Sequence, residues 1–304
     1  MKVNVYLSYY NGSKYIDDQL ASLLNQKGVD VHIFIRNDGS KEIESNFLDK
    51  YQNVPQITII HGENIGCSIS FMWLVCKVDE KADFYAFCDQ DDVWLDFKLY
   101  TACNILKKYT KPAAYGALPQ YTDSKLNPLE GCSSMIDRIH FGEMSVDDAL
   151  GYMIFGLGCT LVWNNALNNI LKKINLFSYS VPHDNFLSVL APFVGTFYRD
   201  DKHVILYRQH GQNASGDKRK NGKFFKKLKG FFEGIKCQKS FWIRKYILDE
   251  FGQYIQNSNK ELLELSINYR SNFFNKIKLI KREMKRTDRN RKIKNLIRIL
   301  GNWY

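Results

Sequence analysis

Apolar residues dominate residues 3–8, and the turn chemistry of Tyr9-Tyr10-Asn11-Gly12 follows at once, which predicts a short strand and its exit. Ile16, Leu20, Leu23 and Leu24 then recur at helical spacing and mark one buried helix face. A second apolar run over 31–35 closes on Arg36-Asn37-Asp38-Gly39-Ser40, and a third covers 57–60. Residues 61–66 read as a turn, and Phe71, Leu74 and Val75 as the inner face of the helix after it. The apolar and aromatic run 83–88 is a fourth strand. Strand and helix therefore alternate every 25–30 residues or so, which predicts an α/β fold: a mostly parallel sheet with helices on both faces.

From about 113 to 217 the pattern loosens. Residues 151–163 are apolar but broken by glycines, which suits strands and loops around a pocket or plain core. Residues 204–207 read as a strand. Further on, Ser258 and Glu261 have capping-box spacing, and Leu262, Leu265, Tyr269, Phe273, Ile277, Ile280 and Met284 predict one long amphipathic helix. Ile293, Leu296, Ile297, Leu300 and Trp303 predict another apolar face, set among basic residues.

The densest chemistry follows the fourth strand, in Asp89-Gln90-Asp91-Asp92-Val93-Trp94. Acids at a strand end lie on the rim of the sheet, where open α/β folds bind ligands. Carboxylates this close repel one another and call for a cation; an oxygen-rich set suits magnesium or manganese holding a diphosphate. The plainer alternative is an acidic turn that caps a helix starting near Trp94. Asp38 sits at another strand end, where it can accept a hydrogen bond from a pyrimidine ring N–H or simply form a turn. Asp184, ahead of an apolar helical run, can serve as a helix N-cap or take a proton from a hydroxyl. Arg208 can face a phosphate, and His210 can ligate a metal or cap a turn. Neither a dinucleotide-binding glycine fingerprint nor a P-loop occurs.

Charge and cysteines sharpen this picture. The net charge of +11 is lopsided: residues 1–217 hold 19 Lys+Arg and 25 Asp+Glu, and the rest hold 24 and 7. The basic excess belongs to the tail, beginning with a run over 218–229 mixed with Phe224 and Phe225 and followed by Phe231 and Phe232. Basic residues beside Leu, Ile and Trp suit an anionic membrane surface; a helical bundle with a solvated face is the alternative. The seven cysteines include no pair at zinc-knuckle spacing, which points to a reducing cytosol. The amino terminus reads as a strand rather than a signal peptide, and no apolar run reaches the roughly 18 residues of a spanning helix.

Taken in order, Leu7-Ser8-Tyr9-Tyr10-Asn11-Gly12, Asn37-Asp38-Gly39-Ser40, Asp89-Gln90-Asp91-Asp92-Val93-Trp94 and His183-Asp184 resemble the stations of a family 2 inverting glycosyltransferase of the GT-A fold. Tyr207-Arg208-Gln209-His210-Gly211-Gln212-Asn213 resembles the bacterial branch described as rhamnosyltransferases of cell-surface polysaccharides. The resemblance spans roughly residues 1–215. It implies a catalytic domain over 1–217, with a nucleotide-sugar half to 112 and an acceptor half beyond, and a helical extension over 218–304. It also implies that Ser8, Tyr9 and Tyr10 cradle the base and Asp38 binds its N–H. Asp89 and Asp91 would hold the ribose and diphosphate, with Arg208 on the phosphate side. Asp91, Asp92 and His210 would hold manganese or magnesium, and Asp184 would be the general base. The partners implied are a nucleoside-diphosphate sugar, dTDP-rhamnose or a UDP-hexose, and a lipid-linked or glycan acceptor, at the inner face of the cell membrane. Two departures stand out: Asn37 replaces a frequent acid, and His183 replaces a frequent glutamate. Nucleic-acid binding through the tail and nucleotidyl transfer are the competing function classes; no nucleic-acid-reading motif supports the first.

Overall fold

The computed structural model describes residues 1–132, 139–152, 154–176, 181–210, 239–302 and 304. Its first half follows the alternation read from the sequence: β1 (Lys2–Tyr9), α1 (Ile16–Leu24), β2 (Asp30–Asp38), α2 (Glu42–Asn46), β3 (Ile57–Gly62), α3 (Cys67–Lys77) and β4 (Phe84–Cys88). Strand β1 lies between β2 and β4, and β3 flanks β2, all parallel. Within β1, Val3, Val5, Leu7 and Tyr9 pack on one face of the sheet and Tyr6 on the other. That is the two-residue period of a strand buried on both sides.

The second half contributes β5 (Val93–Trp94), α4 (Lys98–Leu106), β6 (Ala113–Thr122), β7 (Gly142–Met144), α5 (Val146–Tyr152), β8 (Val162–Asn164), α6 (Asn165–Leu171), α7 (His183–Val194) and β9 (Thr196–Arg208). The described strands form one sheet in the order β3-β2-β1-β4-β8-β6-β9-β5, with β7 on β9. The long β6 and β9 are parallel, whereas the short β5, β7 and β8 run antiparallel to their neighbours. Most of the ladder is therefore parallel, as expected. The helix expected near Trp94 starts at Lys98 instead. Val93 and Trp94, both strand formers, pair with Leu206 and Ile205 of β9. Helices α1 and α4 cover one face through Leu20, Leu23, Leu99 and Leu106, and α3, α6 and α7 cover the other through Phe71, Leu74, Leu167 and Leu190.

The tail holds α8 (Lys239–Phe251), α9 (Asn257–Asn268), α10 (Phe273–Met284) and α11 (Arg289–Leu300). The single helix expected from Leu262 to Met284 is two. Asn272 restarts it as the N-cap of α10, its side chain accepting the Phe274 N–H at 2.8 Å. The expected capping box does not form: Gln256 is the N-cap of α9, and Ser258 and Glu261 both fall inside the helix. Helices α8 and α9 share the core of the sheet, because Ile243, Ile247, Phe251, Leu262, Leu263 and Ile267 belong to the same buried cluster as α7. The α10–α11 hairpin has its own small cluster of Tyr269, Leu279, Ile299 and Tyr304. It docks on α5 through Arg282, which pairs with Asp147 at 2.6 Å, and Arg286, which donates to the Asp147 carbonyl at 2.7 Å. The basic, aromatic run over 218–232 and Trp303 lie outside the described residues. No described helix is long and apolar enough to cross a membrane.

Candidate active site

Parallel pairing brings three chain exits to one rim. Tyr9 sits opposite Asn37, and Leu7 opposite Cys88, so β1, β2 and β4 deliver Tyr10, Asp38 and Asp89 side by side. The loops are then tied across the gaps. Gln90 accepts the Tyr10 N–H at 2.8 Å and donates back to its carbonyl at 3.1 Å. Gly12 passes so close to the Gln90 amide that a Cβ has no room there. Asn37, where relatives of the motif often carry an acid, accepts the Ser40 N–H at 3.1 Å and donates to Ser45 Oγ at 2.8 Å, so it builds the turn. Gly39 follows at φ +70°, a left-handed conformation that a side chain resists, with Asn64 packed against it.

Of the three residues expected around the base, Tyr9 differs. Its ring is 0% exposed and its hydroxyl donates to the Glu44 carbonyl at 2.9 Å, so it is core. Side-chain alternation explains this, since Tyr9 shares the inward face of Leu7. Tyr10 is 48% exposed, and Ser8 is partly exposed with its hydroxyl on Ser70 Oγ at 2.8 Å. Asp38 ends β2 at the rim but is tightly held. It pairs with Arg36 and accepts the N–H groups of Ile65 and Gly66, each at 3.0 Å. Arg36 in turn donates to the Glu63 carbonyl at 2.9 Å and lies over Trp73.

The acidic turn is stitched to the end of β9. Asp92 is 0% exposed, and one of its oxygens accepts the Arg208 N–H at 3.0 Å. Arg208 Nε donates to the Asp91 carbonyl at 2.9 Å, while its terminal nitrogens reach the Ser124 carbonyl at 2.8 Å and Asp18 at 2.9 Å. Arg208 is thus a buried brace rather than the phosphate contact expected of it. Asp92 is buried behind the turn, where it shares a group of possible metal ligands with Asp89 and Cys159. The partly exposed Asp91 is the open carboxylate, and its Oδ2 lies 2.7 Å from His210 Nε2. His210 rests beside the Tyr15 ring, with ring centres 4.9 Å apart.

Near these acids the fold also buries a lysine that sequence reasoning missed. Lys98 is fully buried, with its ammonium over the face of Trp94. Burial lowers its pKa to about 7, against the opposing pull of Cys88, Cys159, Asp92 and Asp89. Burial raises the Asp89 carboxyl, and the nearby charges of Asp91 and Asp184 raise it further.

Asp184 lies in the first turn of α7, whose N-cap is Pro182, so the N-cap reading of Asp184 does not hold. Its carboxylate accepts the Asn185 N–H at 2.8 Å. His183 is buried between the Phe71 and Phe87 rings, and burial lowers its pKa and favours the neutral imidazole. Cys67, at the start of α3, marks where the site converges. The residue is solvent-exposed, while partial desolvation of its thiol pushes the pKa up, and Asp89, Asp184, Asp38 and Asp91 add to the effect. The end of β2 with Asp38, the acidic turn with Asp89 and Asp91, and the start of α7 with Asp184 are the three segments that bring carboxylates to this edge, and the loop before Cys67 binds Asp38 through the Ile65 and Gly66 N–H groups.

The donor chemistry there fits a hard divalent ion. Asp91 offers carboxylate oxygens, which suit magnesium or manganese, and His210 pairs with it at 2.7 Å. A tighter cluster of Asp89, Asp92 and Cys159 lies just inside, with ligand atoms within 4.8 Å of one another. It suits magnesium or manganese less well than an all-oxygen set, because the Cys159 sulfur is a soft donor.

Residues 5–131 match the family described as Glycosyl transferase family 2. The dTDP-rhamnosyl transferase RfbG of Shigella flexneri is 30% identical over 223 residues, 69% of this chain and 73% of that protein. The chain belongs to glycosyltransferase family 2. Its fold agrees: the structure of S. aureus TarS 1–349 superposes with a TM-score of 0.58 at 14% identity, covering 100% of this chain and 81% of that one. A second structure of that protein, in complex with UDP-GlcNAc, gives a TM-score of 0.57 at 15% identity. The sheet with its flanking helices is that of a GT-A-like glycosyltransferase, and the four-carboxylate rim is its candidate active site.

Proposed function

We propose that this glycosyltransferase moves a sugar, with rhamnose from dTDP-rhamnose as the first choice, onto a hydroxyl of a lipid-linked or polysaccharide acceptor during bacterial cell-surface polysaccharide synthesis. The observation that carries the reading is the delivery of Asp38, Asp89 and Asp91 to one rim by the parallel strands β1, β2 and β4, with the start of α7 tied to the same edge through Ser68 and His183. The name of the 30%-identical relative supports the donor. A UDP-hexose is the second reading, supported by the UDP-GlcNAc complex of the structural neighbour.

Ser8, Tyr10 and Asp38 lie where the base enters, and Asp89 and Asp91 face the ribose and diphosphate. Asp91 and His210, with Asp89, would hold manganese or magnesium; when bound, that ion offsets charge on the departing nucleoside diphosphate. Arg208, Gln90 and Lys98 hold the turn in shape. Asp184 takes the proton of the acceptor hydroxyl as it attacks the anomeric carbon from the face opposite the leaving group. One base on one face gives a single displacement with inversion, without the second carboxyl that a glycosidase needs across the bond.

The acceptor side is read as membrane-proximal, at the inner face of the cell membrane. Lys276 Nζ bonds the Leu300 carbonyl at 3.0 Å, which joins the start of α10 to the end of α11. Phe273, Phe274 and Leu300, all exposed, then share one end of the hairpin. Apolar side chains in a basic setting favour an anionic bilayer.

A thermal-shift panel of dTDP-rhamnose, UDP-GlcNAc and a GDP-sugar with manganese tests the donor. A ligand at 100 times its Kd adds about 2.7 kcal/mol. Stabilisation by dTDP-rhamnose alone supports the first reading, and stabilisation by UDP-GlcNAc alone supports the second. No shift with any nucleotide sugar would overturn both.

A further inference from the structure

We infer that Trp242, on α8, is the stacking platform for a sugar ring of the acceptor. The inference rests on the transferase reading above and specifies its acceptor side. A groove of about 510 Å³ lies between the loop before α3, the start of α7 and the start of α8. Its walls include Ile65, Cys67 and Ser68 on one side, Pro182 at its end, and Trp242 and Ile243 on the other. The volume falls within the roughly 300–1,000 Å³ of small-ligand clefts.

The placement identifies the occupant. Cys67 is a wall of the groove, and its neighbours on that wall, Ile65 and Gly66, donate their N–H groups to Asp38, each at 3.0 Å. Ser68, on the same wall, has its hydroxyl 3.5 Å from His183 Nδ1, one residue from Asp184. Asp38 and the acidic turn occupy the side assigned to the donor nucleotide. The groove includes Pro182, the N-cap of the helix that carries the assigned base, and so lies on the side where the attacking hydroxyl must enter.

Its chemistry fits a sugar face. Trp242 is 56% exposed, although its neighbour Ile243 is buried in the core shared with α7. The helix is therefore anchored while the indole is left presented to solvent. The face of an indole carries negative potential and attracts the weakly positive C–H face of a pyranose. Ser68 offers a hydroxyl to the ring's polar edge. Among the described residues that line the groove, only Cys67 carries an ionisable side chain, which suits an uncharged ring.

The test uses the full chain with manganese and the donor that stabilises it. Octyl rhamnoside, octyl glucoside and octyl N-acetylglucosaminide serve as acceptor probes. Wild type, Trp242→Ala and Trp242→Phe are compared for transfer to the probe, hydrolysis of donor by water, and quenching of indole fluorescence. For the probe that wild type uses, Trp242→Ala should raise its KM about tenfold and leave kcat, donor KM and donor hydrolysis unchanged. Trp242→Phe should restore the KM to within about threefold, which a merely structural role of α8 does not predict. A probe that is bound should quench wild type and lose that quench in both variants. Unchanged acceptor KM in Trp242→Ala, or no quench by any probe, would overturn the inference. Intact donor hydrolysis in that case leaves the transferase reading standing. Loss of donor hydrolysis in wild type with every donor would count against that reading instead, and the quench still decides the role of Trp242.

Discussion

The rim and the tail hairpin hold charge in opposite ways. At the rim, each acid or its backbone is fixed by a directional partner: Asp38 by Arg36 and two amides, Asp91 by His210, Asp92 by the Arg208 N–H. On the hairpin, Arg282 and Arg286 dock on α5, but Lys278, Lys281 and Lys285 stand exposed to solvent. The total of +11 is dominated by the second kind of charge and says little about the first. Chemistry is concentrated where charge is held at fixed positions. Single substitutions at the rim should therefore act steeply, and changes on the hairpin should act weakly and sensitively to salt.

Helices α8 and α9 set the boundary between the two regions, and cutting there has the largest expected effect. A chain ending at 217 loses Ile243, Ile247, Phe251, Leu262, Leu263 and Ile267 from the core. Each such side chain contributes about 1.5–3 kcal/mol, and a domain has only about 5–15 kcal/mol to lose. It should show no cooperative melting transition, whereas a chain ending at 270 should retain one. A sharp transition in the 217 chain would show that the catalytic unit ends where the charge changes sign.

Asp91→Asn comes next. It removes charge at the open carboxylate without changing volume, so transfer should fall below detection while Tm stays within about 2 °C of wild type. A large fall in Tm would place Asp91 with the braces rather than with the chemistry. Asp184→Asn should lower transfer by about 10²-fold or more, since positioned proton transfer is worth about 10²–10⁴-fold. Donor-induced stabilisation should be unchanged. Near-normal transfer would move the base elsewhere.

The smallest effect belongs to the hairpin. Phe273→Ser with Phe274→Ser should weaken sedimentation with anionic liposomes several-fold at low salt and leave soluble donor hydrolysis alone. The remaining binding should vanish at high salt, because each cation near the surface adds only about 1 kcal/mol. Equal sedimentation of this variant and wild type would leave the hairpin as a packed bundle with a solvated face.

Legibility in the sequence follows the same division. The parallel strands were readable because an apolar run bounded by turn residues has few other solutions, and their ends located Asp38, Asp89 and Asp91 at one rim. Which acid faces the cleft was not readable. Asp91 and Asp92 are neighbours in sequence, and the inward turn of Asp92 depends on β9 pairing more than a hundred residues away. Lys98 carried no signal in the sequence, and only the packing of α4 buries it. Arg36 offered a usable signal, since it lies two residues before Asp38 and so on the same side of the strand. Gln90 was overlooked between its acidic neighbours. In the tail, helical spacing carried through residues 269–272 and hid the break. An asparagine that can cap a helix was the available sign.

The central claim is that the open carboxylate of the acidic turn holds the donor's diphosphate through a divalent ion, while Asp184 serves only the acceptor. Isothermal titration of the matching nucleoside diphosphate, with and without manganese, into wild type, Asp91→Asn and Asp184→Asn tests it most directly. The account predicts manganese-dependent binding in wild type and Asp184→Asn and its loss in Asp91→Asn. Manganese-dependent binding of equal strength in all three proteins would contradict it.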